Sequence, residues 1–574
     1  MSMDRKKIRA TLITGRSISQ GIAKEYGRFS EKYLYVAGSC EMNPEDMKII
    51  GVRQGSYVRI RSESGEITAR VVDPTQELPQ GMIFAPYSKQ VNALISADTQ
   101  GTGMPSFKGI PVELQRSKES GIEETAILEI KKTGEFTTVK QTKVVKNIVC
   151  SFCGCLCDDL DVAFQDRKIV SVEKACILGL NKFINYERQR IYSPIVRKNG
   201  QSHEVSLEEA VNSAAEILAY SKYPIAYGWS TTSNEAIRIG IELTEAMGGV
   251  IDNTTTVCHG PTILAEEDVG VSTCTLGHVM HRADLVIYWG SNPLQSHPRH
   301  LARYTVGSRG RFRRSRADRI MVVIDVRRTY TGNVADYFIQ VEPNKDYELL
   351  KALRVAVRDE ELEQQSVAGV PRQSVEELAD LMMNCEFGIL FFGVGLTMSS
   401  GKLRNVDEAI SLVADLNTWT KFTIMPMRGH YNVTGANTVL AWLTGYPYAV
   451  DLSHGYPRYN PGDTSVVDIL SRGECDAALV IGSDPLASFP ALAAKNLCEI
   501  PLIVVDAHRT YTSEKASVVI PSAPVGIEAE GTAHRMDGVP IFLRRIIDPP
   551  DGIESDAEVL QRILNRFRKL KDLS

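Results

Sequence analysis

Five of the eleven cysteines lie between residues 150 and 176. Cys150, Cys153 and Cys157 follow a C-x2-C-x3-C spacing, Cys176 follows after a further 18 residues, and Cys155 lies among them as a fifth thiol. In a reducing compartment clustered thiols bind metal more readily than they pair as disulfides. Three thiolates on one tight loop plus a distant fourth suit a [4Fe–4S] cube. Structural zinc, more often held by paired CxxC knuckles, is the rival reading, and unliganded thiols are the bland one. A cluster would make the chain redox-active. The scattered Cys40, Cys274, Cys385, Cys475 and Cys498 read as small core residues.

A second signal is an internal repeat. Asp284-Leu-Val-Ile-Tyr-Trp-Gly-Ser-Asn-Pro-Leu-Gln-Ser-His-Pro298 matches Asp476-Ala-Ala-Leu-Val-Ile-Gly-Ser-Asp-Pro-Leu-Ala-Ser-Phe-Pro490, and Val322–Thr331 matches Val504–Thr512. Each copy predicts a buried strand ending in Gly-Ser-(Asn/Asp)-Pro, followed by a strand that ends in Asp. In doubly wound sheets the ligand crevice lies at such strand ends. Backbone N–H groups and a Ser hydroxyl there suit phosphate or heterocycle edges, and the Asp can accept from a ribose or a guanine edge. An ordinary βα turn explains one copy; two related copies point to two nucleotide-like ligands about a pseudo-twofold axis. Gly290 to Asp325 spans 35 residues and Gly482 to Asp506 spans 24, a surplus of 11. The basic run Val306–Arg316 accounts for it, as a solvated loop or as a partner or phosphate contact.

These residues need a scaffold. From Thr11 to about Pro111, strand-sized stretches such as Val58–Arg61, Glu66–Val72 and Gly81–Pro86 alternate with Gly and Pro turns, which predicts a small β-barrel over residues 1–112. Residues 113–146 are polar and charged and read as a linker with one hairpin. An iron–sulfur domain over 147–200 follows, then apolar strands alternating with helices such as Leu207–Tyr220, an α/β body over 201–574.

Composition narrows the class. With 43% hydrophobic and 24% charged residues over 574 positions, the chain is neither disordered, collagenous nor disulfide-stapled. A net charge of −5 gives no general reason for nucleic-acid binding. No apolar run approaches the ~20 residues of a membrane span, and the start Met-Ser-Met-Asp-Arg-Lys-Lys lacks the apolar core of a secretion signal, so a cytoplasmic location is expected.

Taken together, the cysteine spacing, Trp289-Gly-Ser-Asn-Pro-Leu294 and Asp325-Val-Arg-Arg-Thr329 resemble the molybdopterin oxidoreductases. Thr255-Thr-Val-Cys-His-Gly-Pro261 and Met425-Pro-Met-Arg-Gly-His-Tyr-Asn432 resemble the catalytic, B-type polypeptide of formylmethanofuran dehydrogenases, and Cys40–Met47 through Gly101–Pro105 resemble their D-type polypeptide. The resemblance implies an α/β multidomain body behind an N-terminal double-psi-like barrel, a [4Fe–4S] cluster on Cys150, Cys153, Cys157 and Cys176, and two molybdopterin guanine dinucleotides on tungsten or molybdenum. It implies reduction of CO2 to formate, with Cys258 as the protein's metal ligand and His259 and Arg428 completing the substrate site. Gly290, Ser291, Asn292 and Asp325 would hold one dinucleotide, Gly482, Ser483, Asp484 and Asp506 the other, with Asn43, Asn92, Thr14 and Arg16 contributing from the barrel. An amidohydrolase-like subunit and ferredoxin-like carriers are the implied partners. A free-standing formate dehydrogenase and a pterin-free scaffold subunit are the competing readings. Two departures stand out: Leu178 occupies the place of a basic residue found in formate dehydrogenases, with Lys182 as its possible substitute, and residues 531–535 do not follow the family's Gly-Thr…Asn pattern.

Overall fold

The computed structural model of the chain describes residues 7–117, 142–198 and 200–572. Most of the expected linker therefore lies outside the described residues.

At the front, six strands close into a barrel in the order Lys7–Gly15, Met82–Pro86, Ser39–Met42, Glu66–Val72, Tyr57–Arg61, Lys108–Arg116. Two of its neighbour pairs are parallel and the rest antiparallel. Alternation along the strands buries Leu12, Val58, Ile60, Val71, Ile83 and Leu114 inside it. The last strand runs to Arg116, beyond the expected boundary at 112, because Lys7–Ile13 and Val58–Arg61 both pair with it.

A three-stranded antiparallel sheet, Lys143–Ile148, Leu160–Gln165 and Lys168–Glu173, carries the cysteine loop between its first two strands. It starts inside the expected linker. At the other end of the expected iron–sulfur domain, Ile195–Lys198 already belongs to a body sheet.

The body is built on two sheets. One has nine strands, and its central five, Val518–Ile520, Leu502–Val505, Ala477–Ile481, Pro224–Gly228 and Val250–Asn253, are parallel. The other is fully parallel in the order Tyr337–Gln340, Ile320–Asp325, Leu285–Trp289, Phe387–Phe392, Lys421–Pro426. Strands Leu285–Trp289 and Ala477–Ile481 are buried at every position, as strands covered on both faces must be. The two repeat copies thus seed separate sheets. In each, the chain reverses direction of travel beside the repeat strand, between Pro224–Gly228 and Ala477–Ile481 and between Leu285–Trp289 and Phe387–Phe392. These are topological switch points, where a crevice opens at the strand C-termini.

Among the scattered cysteines, Cys40 and Cys475 are core residues, Cys274 and Cys385 are half-buried, and Cys498 is exposed at the end of the helix Ala491–Leu497, contrary to the core expectation.

Lys402 fastens the segment ahead of the barrel's closing strand to the body. It is 2% exposed, has φ +42°, and its ammonium donates to the carbonyls of Thr99 (3.1 Å) and Met104 (2.6 Å). Burial pushes its pKa down from 10.5 to about 8, with Asp98 and Asp468 opposing. Replacing Lys402 by Met removes a charged donor from both carbonyls, leaving Thr99 O to Thr102 N and Oγ1 and Met104 O to a 3.4 Å contact with Thr102 Oγ1, a loss of about 2 kcal/mol. The expected outcome is roughly thirtyfold faster hydrogen exchange across residues 99–104 at neutral pH. Because the unfolded lysine holds its proton between pH 8 and 10.5 while the folded one releases it, wild-type stability relative to Lys402→Met should rise with pH through that window.

Candidate active site

The two repeat turns share the same internal bonding. Gly290 and Gly482 stand at φ +54° and +53°, a left-handed conformation that favours glycine. Their amides donate to Ile324 O (2.8 Å) and Val505 O (3.0 Å), the neighbouring strands' ends. Thr331 Oγ1 donates to Asn292 Oδ1 and Thr512 Oγ1 to Asp484 Oδ1, both at 2.6 Å. The same hydroxyls accept from Leu294 N (3.2 Å) and Leu486 N (3.1 Å). Each turn is also tied to the N-terminal segment: Asn292 Nδ2 donates to Gln76 Oε1 at 2.9 Å, and Arg28 Nε lies 2.9 Å from Asp484 Oδ2. Asn292 and Asp484, expected as ligand contacts, therefore have much of their bonding capacity committed to shaping the turns.

One continuous cavity joins the turns. It encloses about 3430 Å3 of free space, its open mouth included, between the barrel, both sheets and the cysteine loop. Of the expected contacts, Thr14, Arg16, Gly290, Ser291, Asn292, Asp325, Gly482, Ser483, Asp484, Asp506 and Cys258 line it. Asn43 and Asn92 do not. Asn43 caps the helix Pro44–Ile50, accepting from Glu45 N at 2.8 Å and donating to Leu78 O at 2.7 Å. Asn92 is buried and donates to Ala487 O at 3.0 Å, bracing the barrel against the second repeat. Both are Asn positions that serve the backbone.

Cys258 ends the short 3-10 turn Thr254–Val257, just past the strand Val250–Asn253. Beneath that turn is Asp252, fully buried. Its carboxylate accepts from Thr256 Oγ1 (2.6 Å), Asn253 N (2.8 Å), Val466 N (2.9 Å) and Ala449 N (3.1 Å). Burial raises Asp252 to about 7 against the pull of those donors. Burial likewise pushes the Cys258 thiol up to about 11, while Arg16, Arg428 and the Gly429 N–H favour its thiolate.

His259 and Arg428 sit behind this wall. His259 is fully buried, with Nδ1 3.1 Å from Thr262 Oγ1 and no partner for Nε2. Burial, reinforced by Arg428, pushes its pKa down to about 3. An unperturbed imidazole titrates near neutrality; here desolvation favours the neutral ring. Arg428 is 7% exposed, donates to Thr434 Oγ1 at 3.3 Å, lies 4.0 Å from Glu266, and leaves Nε without a partner. Its neighbours Met427, Gly429 and His430 face the cavity instead.

Several cavity residues escape sequence reasoning. Lys24, Arg28, Lys108, Lys182, Arg188 and Arg327 line the cavity together with the carboxylates of Glu25, Asp325, Asp346, Asp484, Asp506 and Asp556, and desolvation lowers the half-buried Lys108 to about 8. Lys182 had a sequence signal in its place after the fourth clustered cysteine and Arg327 in the Asp325–Thr329 motif; the other basic residues look like solvated helix or strand residues until the barrel docks. Leu178 is buried, whereas Lys182, on the same helix, reaches the cavity.

All five clustered cysteines line a second, small cavity with Phe152, His297 and Arg299. Cys176 caps the helix Ile177–Ile184, accepting from Gly179 N at 3.4 Å. A methyl group on Gly179 would lie 3.0 Å from Cys150 Sγ and 3.8 Å from Cys176 Sγ, so this glycine keeps the space beside the two sulfurs open. Among the described residues, no three His, Cys, Asp or Glu side chains converge on a single metal-ion position; the thiols surround a space. Phe152 and His297 line both cavities, and His297 Nε2 is 2.9 Å from Arg428 O.

Comparison with known proteins fits this geometry. Residues 11–111 match the family described as molydopterin dinucleotide binding domain and residues 190–566 the molybdopterin oxidoreductase family. The B-type polypeptide of tungsten-containing formylmethanofuran dehydrogenase 2 from Methanocaldococcus jannaschii is 50% identical over 432 residues, 75% of this chain and 99% of that protein. Protein FwdD of the same organism is 38% identical over 120 residues, 20% of this chain and 90% of that protein. In fold, the chain resembles one chain of the formyltransferase/hydrolase complex of Methylorubrum extorquens (TM-score 0.54, 22% identity, 67% of this chain and 100% of that one). The chain therefore belongs to the molybdopterin oxidoreductases, in the branch of the B-type formylmethanofuran dehydrogenase polypeptides, with a homologue of the D-type polypeptide at its N-terminus.

Proposed function

We propose that the chain is the catalytic subunit of a cytoplasmic formylmethanofuran dehydrogenase, converting CO2, two electrons and a proton into formate for formylmethanofuran synthesis, the first step of methanogenesis from CO2. The observation that carries the reading is the position of Cys258: a thiol on the wall of a cavity that also contains both repeat turns, with Arg16 and Arg428 favouring its thiolate. A soft anionic sulfur there suits tungsten or molybdenum, and the paired turns suit two pterin dinucleotides. When bound, the metal and its dithiolene ligands supply the two-electron exchange.

The remaining chemistry belongs to the chain's own residues. Lys24, Arg28, Lys108 and Lys182 offer charge to phosphates along the cavity. Arg428 and Arg16 put fixed positive charge beside Cys258, where a carboxylate forms. In a site screened from water that charge favours the anionic product without reorganisation. His259, held neutral, offers its unpartnered Nε2 as a hydrogen-bonding group. Cys150, Cys153, Cys157 and Cys176 would hold a [4Fe–4S] cluster, which would supply one-electron chemistry there, and Phe152 and His297 line both that cavity and the large one. Thiols spread around a space support a multi-iron cluster over a single zinc ion. An amidohydrolase-like subunit would take the formate onward, and ferredoxin-like carriers would bring the electrons.

Metal and nucleotide analysis of the purified complex tests the reading: near one tungsten or molybdenum and about four irons per chain are expected, with guanine nucleotide released on denaturation. Replacing Cys258 with Ala should abolish formate turnover while the iron–sulfur EPR signal persists; turnover in that variant would remove Cys258 from the site. Replacing Gly179 with Ala should crowd Cys150 and Cys176 by about 1–3 kcal/mol. Iron content should then fall well below that of the parent while tungsten or molybdenum stays bound, read by elemental analysis.

A further inference from the structure

The basic run that lengthens the first repeat copy takes no part in the cavity, and its surroundings give it a different use. It leaves the short helix His300–Tyr304, which lies against the cysteine loop. Tyr304 Oη donates to Cys155 O at 3.0 Å, Arg303 Nη1 is 2.5 Å from Asp159, and Arg299, just ahead of the helix, lines the thiol cavity. Val306, at the start of the run, is buried in the same apolar cluster as Cys150, Cys153, Cys155 and Cys157.

From there the chain turns outward. Gly310 N donates to Arg313 O at 2.9 Å, closing a tight loop that hangs on the helix Leu276–Arg282 through Arg311 N to His281 Nδ1 (2.9 Å) and Phe312 N to His281 O (3.2 Å). The loop is anchored, so its charges are held in place. Arg313 is neutralised by Glu386 and Asp284, Arg316 by Asp336, and Arg319 is buried on four backbone carbonyl contacts. The rest are not. Among the described residues Arg282, Arg309, Arg311 and Arg314 are exposed and have no carboxylate within ion-pair distance. Among them Phe312 is 54% exposed, with the guanidinium carbons of Arg282 and Arg311 at 4.7 and 5.6 Å from its ring centroid.

On a chain of net charge −5, four unpaired arginines, two of them beside an exposed aromatic ring, form a local field of opposite sign. Arginine and aromatic residues are the types enriched where proteins dock, and fixed surface charge steers an oppositely charged partner and sets its register. The second repeat copy, which is not joined to the cysteine loop of residues 150–157 in this way, lacks the insertion altogether. We propose that residues 309–314, together with Arg282, form the docking surface for a small acidic electron-carrier protein that delivers electrons to the thiol-lined cavity. This rests on the functional reading above, since a carrier has a purpose here only if that cavity holds a redox cluster.

The test uses the assembled enzyme, with Arg309→Glu, Arg311→Glu and Arg314→Glu combined, and a milder triple Gln variant as a control for folding. Formate turnover is measured with methyl viologen, a small dye that needs no docking site, and with a purified acidic two-[4Fe–4S] ferredoxin across a salt series. The expected result is dye-linked turnover unchanged in both variants. Ferredoxin-linked turnover should fall about tenfold or more in the Glu variant and less in the Gln variant, and its parental salt dependence should flatten. Equal ferredoxin-linked rates in parent and Glu variant would overturn the proposal. So would a matching fall in dye-linked turnover, which would make the loop part of the catalytic structure. Loss of binding to single-stranded RNA or anionic vesicles with ferredoxin kinetics intact would likewise assign the surface elsewhere. If the parent shows no dye-linked turnover, the functional reading fails; ferredoxin binding by parent and Glu variant, measured by calorimetry, then still decides the surface.

Discussion

The structure depends on one bonding pattern used twice: a threonine hydroxyl that donates to the Asn or Asp of a Gly-Ser-(Asn/Asp)-Pro turn and accepts from the amide two residues on. Thr331 with Asn292 and Thr512 with Asp484 close the turns at the switch points of two different sheets. Because each turn is rigid and glycine-bent, its amides face a crevice that a flexible loop would fill. Because each is also bonded to the N-terminal segment, through Gln76 and Arg28, the barrel docks where the crevices meet. The shared cavity is the outcome of that constraint.

Burial then decides the electrostatics. The same desolvation that favours neutral His259 lifts the Cys258 thiol and lowers Lys108. Each of these groups is under pressure to shed its charge, and a polyanionic ligand on the lysine or a metal cation on the thiolate would relieve it. Metal binding and deprotonation of a buried thiol are coupled, so a metal on Cys258 and the arginines beside it would act in the same direction. The Asp252 network beneath Cys258 adds rigidity, since four separate donors from the chain converge on one buried carboxylate.

Few parts lie between the two cavities. Phe152 and His297 separate the thiol cavity from the large one, and His297 holds the carbonyl of Arg428. A change at the cysteine loop is thereby one hydrogen bond away from the charge behind Cys258.

Local order was legible in the amino-acid sequence: the repeat, the cysteine spacing, the barrel strands, the helix Leu207–Tyr220 and the motif around Cys258 are all short-range patterns, fixed by spacing and residue type. Position within the fold was not. Asn43 and Asn92 carry the same residue type as Asn292, but only tertiary packing sends the first to a helix cap and the second to a barrel brace. Lys108 looks like solvent-facing charge until the barrel docks on the body and half-buries it against the cavity. An imidazole ordinarily titrates near neutrality, but the surroundings of His259 remove the water that would stabilise its cation. Sequence determined which chemical groups are present and how each turn bends; the long-range contacts alone decided which groups share a cavity and which protonation state each one holds, because desolvation depends on neighbours hundreds of residues away.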